Sequence, residues 1–139
     1  MIRIILMPLC VVSLALLLMG CYTESQVNFG NGYVSVVNVK SSQTGQEITV
    51  PPRKFRKLPH ASGDLIVTTQ TGGQFKFSDI EPPFLDKYLV KKESVFGPGY
   101  VTLNTMLETN MQLYVLRPGE KAVNTKVQQP FGYPKAGEK

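Results

Sequence analysis

The chain has 139 residues, with fifteen basic and ten acidic side chains, one histidine, two cysteines and no tryptophan. That length suits one domain with a real core rather than two. A net charge of +5 falls short of the clustered basic surface of a nucleic-acid binder, and two cysteines exclude a disulfide-dense scaffold.

The first element in chain order is apolar. Met1-Ile2-Arg3 gives a short positive start, and Ile4 to Met19 is interrupted only by Pro8, Cys10 and Ser13. A membrane-spanning helix needs about 20 apolar residues. This run is shorter, and Pro8 weakens a continuous helix near its start. A positive start, a short apolar centre and the small Gly20 predict a secretory signal peptide over residues 1–20. Tyr22-Thr23-Glu24-Ser25-Gln26 then turns polar, with no basic stop-transfer cluster.

Leu18-Met19-Gly20-Cys21 resembles the lipobox of bacterial lipoproteins, Leu-x-Gly-Cys, a resemblance confined to residues 1–21. It implies cleavage between Gly20 and Cys21, a diacylglycerol on the Cys21 thiol and, usually, an acylated new amino terminus. It also implies the cell envelope, with Cys21 as the link to the membrane. Each buried methylene contributes about 0.8 kcal/mol, so one acyl chain holds marginally and two or more hold stably. Lipoproteins of Gram-negative cells with Asp after the cysteine tend to stay in the inner membrane. Tyr22 stands there instead, which implies the outer membrane in such a cell. Cys10 leaves with the leader and Cys21 is consumed by lipid, so the mature chain has no thiol left for a disulfide or a metal. Fourteen basic side chains then face ten acidic ones.

Residues 21–32, rich in Ser, Gln, Asn and Gly, read as a tether between lipid and domain. Tyr33 to Lys40 is rich in β-branched residues and predicts a strand, with Val34 and Val36 on one face and Ser35 on the other. The turn cluster Ser41 to Gln46 and the run Glu47 to Pro51 make a hairpin with it. Pro51-Pro52 ends the pairing. Arg53 to Leu58 predicts a short edge strand, and His60 to Asp64 a turn. Leu65 to Gln70 and Gln74 to Ile80 flank Thr71-Gly72-Gly73, the strongest hairpin pattern in the chain, with Phe75 and Phe77 on one face. Between Pro82-Pro83 and Gly97-Pro98-Gly99 the pattern is irregular, with Leu85, Tyr88 and Leu89 at the spacing of one helical turn. Tyr100 to Glu108 and Met111 to Pro118 form a last hairpin through Thr109-Asn110, with Leu113 and Val115 on one face. Residues 118–139 read as an extended or partly disordered tail.

Short strands at regular spacing, Gly/Pro turns and no long helix predict an all-β domain over residues 33–117. The expected form is a small antiparallel β-sandwich, immunoglobulin-like or similar, with a small β-barrel as the alternative. A segment from about Gln26 to Leu116 holds the hydrophobic strands and is expected to fold without lipid.

Catalytic patterns are sparse. His60, Ser62 and Asp64 lie close in sequence, but residues two apart in one turn do not readily form a relay among themselves. Gly-x-Ser-x-Gly, phosphate-binding glycine loops and calcium loops are absent from the sequence. Asp64, Asp79 and Asp86 are scattered. Asp79 and Glu81 share a face if residues 78–81 are extended, yet they flank a Pro-Pro turn, where solvated carboxylates are the plainer reading. The densest charge lies in Arg53, Lys54, Arg56 and Lys57. These cations suit anionic lipid heads, lipopolysaccharide phosphates or acidic glycans, or else guard an edge strand against aggregation.

The expectation is therefore a lipid-anchored envelope protein with a non-enzymatic binding or scaffolding domain and no cofactor. It would partner another envelope protein, lipopolysaccharide or a glycan, and not nucleic acid. The alternative is a glycan- or small-ligand-binding lipoprotein that stacks its ligand on Tyr33, Tyr88, Tyr100 or Tyr114. A hydrolase with a dispersed site ranks below both.

Overall fold

Alternation of apolar and polar residues sorts this chain into strands, and four crossovers distribute the strands between two sheets. The computed structural model describes residues 23–78, 80, 88–92, 99–126, 128–130 and 132–139. Gly20, Cys21, Asp79, Glu81, Leu85 and Asp86 lie outside the described residues. Among the described residues ten strands follow in order: β1 (Thr23–Asn31), β2 (Val37–Ser41), β3 (Glu47–Val50), β4 (Phe55–Leu58), β5 (Leu65–Thr69), β6 (Gln74–Phe77), β7 (Leu89–Lys92), β8 (Gly99–Leu107), β9 (Gln112–Val115) and β10 (Lys135–Ala136). Among the described residues there is no helix.

One sheet runs β10-β9-β8-β1-β4, with β7 also paired to β8; the other runs β3-β2-β5-β6. The protein is thus a small β-sandwich of two sheets, not the barrel that the sequence also allowed. Pairing is antiparallel throughout except between β1 and β8, which run parallel over nine register pairs from Thr23↔Gly99 to Asn31↔Leu107. β7 and β9 share the other side of β8, at Tyr100–Leu103 and at Thr105–Leu107.

The core lies between the sheets. Val27, Phe29, Leu58, Leu107 and Leu113 come from the larger sheet, and Val37, Val39, Val50, Leu65, Val67 and Phe77 from the smaller. Burying such a side chain stabilises by about 1.5–3 kcal/mol. A satellite cluster of Tyr88, Leu103, Val115 and Tyr133 extends the core under the β7 side.

Three expectations change. Residues 23–31, expected in a tether, form a central strand. Val27 and Phe29 are buried while Gln26 and Asn28 are not, and this two-residue alternation suffices because β4 and β8 flank it. The inward face of β2 is Val37, Val39 and Ser41, whereas Val34 is 77% exposed. The parity slips at the Val36-Val37 doublet because the Asn31 carboxamide holds the Ser35 carbonyl at 2.8 Å, so residues 32–36 cross between the sheets instead of joining a ladder. The tail also packs. Lys135 and Ala136 pair with Leu113 and Gln112 on β9. Glu138 exchanges two main-chain hydrogen bonds with Lys76 on β6, at 2.7 and 2.9 Å. One short segment therefore clamps an edge of each sheet, and the Gln26–Leu116 segment lacks it.

The expected hairpins β2–β3, β5–β6 and β8–β9 are present. Gly72 takes φ +87° in the β5–β6 turn, a conformation that side chains disfavour. In the β8–β9 turn the residue with positive φ is Met111, at +59°. Its side chain packs against the core, which offsets the conformational cost.

Thr105 is a flaw in the packing. It is 0% exposed and its hydroxyl has no hydrogen-bond partner among the described residues. An unpaired buried hydroxyl costs roughly 1–3 kcal/mol, and valine keeps the shape without it. Thr105→Val is expected to stabilise the fold by about 1 kcal/mol. Urea unfolding should show a higher midpoint at unchanged slope; a lower midpoint would mean that the hydroxyl has a partner.

Candidate ligand-binding face

Edge strand β4 carries the basic run. It pairs antiparallel with β1, setting Phe55 opposite Gly30, Arg56 opposite Phe29, Lys57 opposite Asn28 and Leu58 opposite Val27. Leu58 and Arg56 share the core-side face, but Arg56 is exposed at the rim, where its guanidinium donates to the Phe55 carbonyl at 2.8 Å. Phe55 and Lys57 share the outer face. Arg53 and Lys54 precede the strand in the turn after Pro51-Pro52, and the Lys54 N–H donates to the Pro51 carbonyl at 3.3 Å. All four cations are exposed, and among the described residues no carboxylate pairs with any of them.

Arg53 has φ +59°. This is the third position of a Pro-led turn, where glycine is favoured and an arginine costs on the order of 1 kcal/mol. A turn that bears this strain to present a guanidinium is an unusual way to place a charge that only guards an edge.

Beside the run, the outer face of the larger sheet forms a groove of about 400 Å³. Asn28 of β1, Phe55 of β4 and Asn104 of β8 line its floor, and Gly119, Glu120 and Lys121 of the turn after β9 line its wall. The Asn28 carboxamide donates to Asn104 Oδ1 at 3.0 Å. Parallel register makes this pair, because Asn28 and Asn104 are direct partners across β1 and β8. Each carboxamide keeps further donor and acceptor capacity. A Cβ on Gly30 would lie 2.5 Å from Phe55 Cε1, so the glycine lets the ring lie close on the sheet. Glu120 is engaged by Arg117, 2.9 Å away. The groove thus offers an aromatic surface, a paired amide and flanking ammonium groups. That set suits a ligand with an apolar face and several hydroxyl or anionic groups.

The tyrosines divide. Tyr88 is 2% exposed and belongs to the satellite cluster, and Tyr33 packs against the main core. Neither is placed for stacking. Tyr100 and Tyr114 lie on the outer face in register with Glu24 and Met106, both half-buried. Tyr114 donates to Gln112 Oε1 at 3.0 Å and borders a second cavity of about 490 Å³, whose lining includes Gln128, Gln129 and Tyr133 of the tail.

The His60 turn does not assemble a relay. His60 Nδ1 lies 3.9 Å from Glu24 Oε1, while the Ser62 hydroxyl donates to Gln43 Oε1 at 2.6 Å. Among the described residues no three His, Cys, Asp or Glu side chains gather at one point, and no helix is long and apolar enough to cross a membrane. Sequence reasoning missed Asn28, Asn104 and Phe55 as a group. Two of them lie 76 residues apart, and only the parallel pairing of β1 with β8 joins them.

No family model, curated protein or solved structure matches this chain.

Proposed function

We infer that the chain is a lipid-anchored envelope protein whose sandwich binds another envelope component without transforming it. The observation that carries the binding half is the Asn28–Phe55–Asn104 groove, with Lys57 on the same outer face and Arg53 and Lys54 in the adjoining turn. The anchoring half rests on Leu18-Met19-Gly20-Cys21. It is supported by the position of β1, whose first residue, Thr23, follows Cys21 by two, so cleavage before Cys21 leaves all ten strands in the mature chain. With Tyr22 after the cysteine, the outer membrane is the favoured site in a Gram-negative cell. Glycoside hydrolysis uses two carboxyl groups, and the groove is lined by one, Glu120, already held by Arg117. A binding role fits that lining better.

Intact-mass measurement of the membrane-extracted protein is expected to show a chain that starts at Cys21, heavier than its sequence by a diacylglyceryl group and a further acyl chain. Cys21→Ser should abolish both the added mass and the cleavage. A mature chain that starts elsewhere and carries no lipid overturns the anchor.

A further inference from the structure

We propose that the basic end of the sandwich points away from the anchoring membrane and holds an acidic polysaccharide along the Phe55 groove. The orientation rests on the lipid anchor inferred above; the ligand class rests on the groove and the charges.

The anchor fixes which end of the sandwich is near the bilayer. Two residues reach at most about 7 Å, so a lipid on Cys21 keeps Thr23 within that distance of the headgroups. β1 then runs nine residues without interruption to Asn31. At about 3.3 Å per residue, Asn31 stands about 26 Å from Thr23. Arg53 and Lys54 are fixed at that far end, because the Arg53 N–H donates to the Asn31 carbonyl at 2.7 Å and the Asn31 N–H to the Lys54 carbonyl at 3.0 Å. Lys57, opposite Asn28, lies about 17 Å along the same strand. With β1 upright on its anchor, these spans exceed the Debye length of about 8 Å at physiological ionic strength, so headgroup charge of the anchoring leaflet is screened from the run. The distal cations are left for a partner in front of the membrane.

The groove selects the partner's chemistry. Its about 400 Å³ suits a few sugar rings and is narrow for a folded protein. Phe55 offers a face for a ring's apolar side, and Asn28 and Asn104 offer hydrogen bonds to hydroxyls. Lys57 and Lys121 flank the groove, and Arg53 and Lys54 continue the positive charge past its end. Carboxylates at regular intervals along a polysaccharide match that row.

The test uses mature lipidated protein added to preformed phosphatidylcholine vesicles, with labelled polygalacturonate as the probe at physiological ionic strength. Vesicles carrying the protein should bind polygalacturonate and not neutral dextran, with affinity falling as salt rises. The combined variant Arg53→Gly, Lys54→Gln, Lys57→Gln should lower affinity about tenfold or more. Arg53→Gly relieves the turn, so the variant's thermal midpoint should not fall below wild type. Phe55→Leu should weaken binding without changing the salt dependence. Replacing part of the phosphatidylcholine with phosphatidylglycerol should leave affinity within about twofold. Strong competition by phosphatidylglycerol would put the run against its own membrane and overturn the orientation. Unchanged affinity in the triple variant, or equal binding of poly-glutamate, would overturn the polysaccharide. A wild-type protein that fails to float with vesicles removes the anchor and the orientation together, while its affinity for polygalacturonate in solution still decides the ligand.

Discussion

Ending the chain after Leu116 is expected to lower the thermal midpoint by about 10–15 °C. The truncation removes Tyr133, a buried member of the satellite cluster whose hydroxyl donates to the Ile80 carbonyl at 3.3 Å. Loss of a buried aromatic costs about 3–5 kcal/mol. It also strips both sides of the β9 edge cover. Gln129 holds the Val115 main chain from both directions, donating to its carbonyl at 3.0 Å and accepting from its N–H at 2.9 Å, and β10 holds Leu113 and Gln112. The conformational entropy regained by a polar tail offsets part of this, leaving about 3 kcal/mol. Exposed β6 and β9 edges should raise light scattering as the chain unfolds. Tyr133→Ala should reproduce most of the loss. Glu138→Ala should cost well under about 1 kcal/mol, because its main-chain bonds to Lys76 survive and the ion pair, at 3.8 Å, is exposed. A truncated chain that melts with the wild type would show that the tail contributes no stability.

Asn31→Ala is expected to cost about 2–4 kcal/mol. Asn31 is 1% exposed and lies where the β1–β2 and β3–β4 crossovers between the sheets meet. Its carboxamide nitrogen donates to the Ser35 carbonyl at 2.8 Å and the Val50 carbonyl at 2.9 Å, and its oxygen accepts from the Tyr33 N–H at 2.9 Å. Alanine leaves three main-chain groups without partners in a place that admits little water. Asn31→Asp should be worse still, since a buried carboxylate would face two carbonyl oxygens that need donors. Urea unfolding should therefore rank wild type above Ala and Ala above Asp. Equal stability of the two variants would mean that the amide does not hold the crossovers.

What the sequence made legible follows from how local the information is. The β5–β6 hairpin could be read because Gly72-Gly73 and the alternation on either side agree within a few residues. The β8–β9 hairpin could be read for the same reason, although Met111 takes the left-handed position that glycine usually fills. β1 was hidden by its composition. Glu24, Gln26, Asn28 and Gly30 point outward and carry weak strand propensity, leaving Val27 and Phe29 as the inward pattern. The inward face of β2 was misread because four valines in six residues fit either parity, and the deciding contact comes from Asn31. The tail looked unstructured because it contributes few side chains to the core; it is held mainly through its backbone and through Gln129 and Tyr133. Of the candidate site, the basic run and Cys21 stand out in one dimension. The groove does not, because strand pairing across most of the chain assembles it.

The parallel pairing of β1 with β8 also sets the order of assembly. The two strands are separated by 76 positions, the interval between Asn28 and Asn104. A chain that is made from its amino end delivers β1 first and this partner late. Local hairpins close in about 1–10 μs, whereas a sheet that waits on so distant a strand belongs with the slower folders, in roughly milliseconds to seconds. During that interval β4 can cover one side of β1 while the other stays open to any strand of another molecule. Val27 and Phe29 stay exposed with it until the sheets close over them. The outward residues that made β1 look like a tether, Glu24, Gln26 and Asn28, are then what keeps the waiting strand in solution.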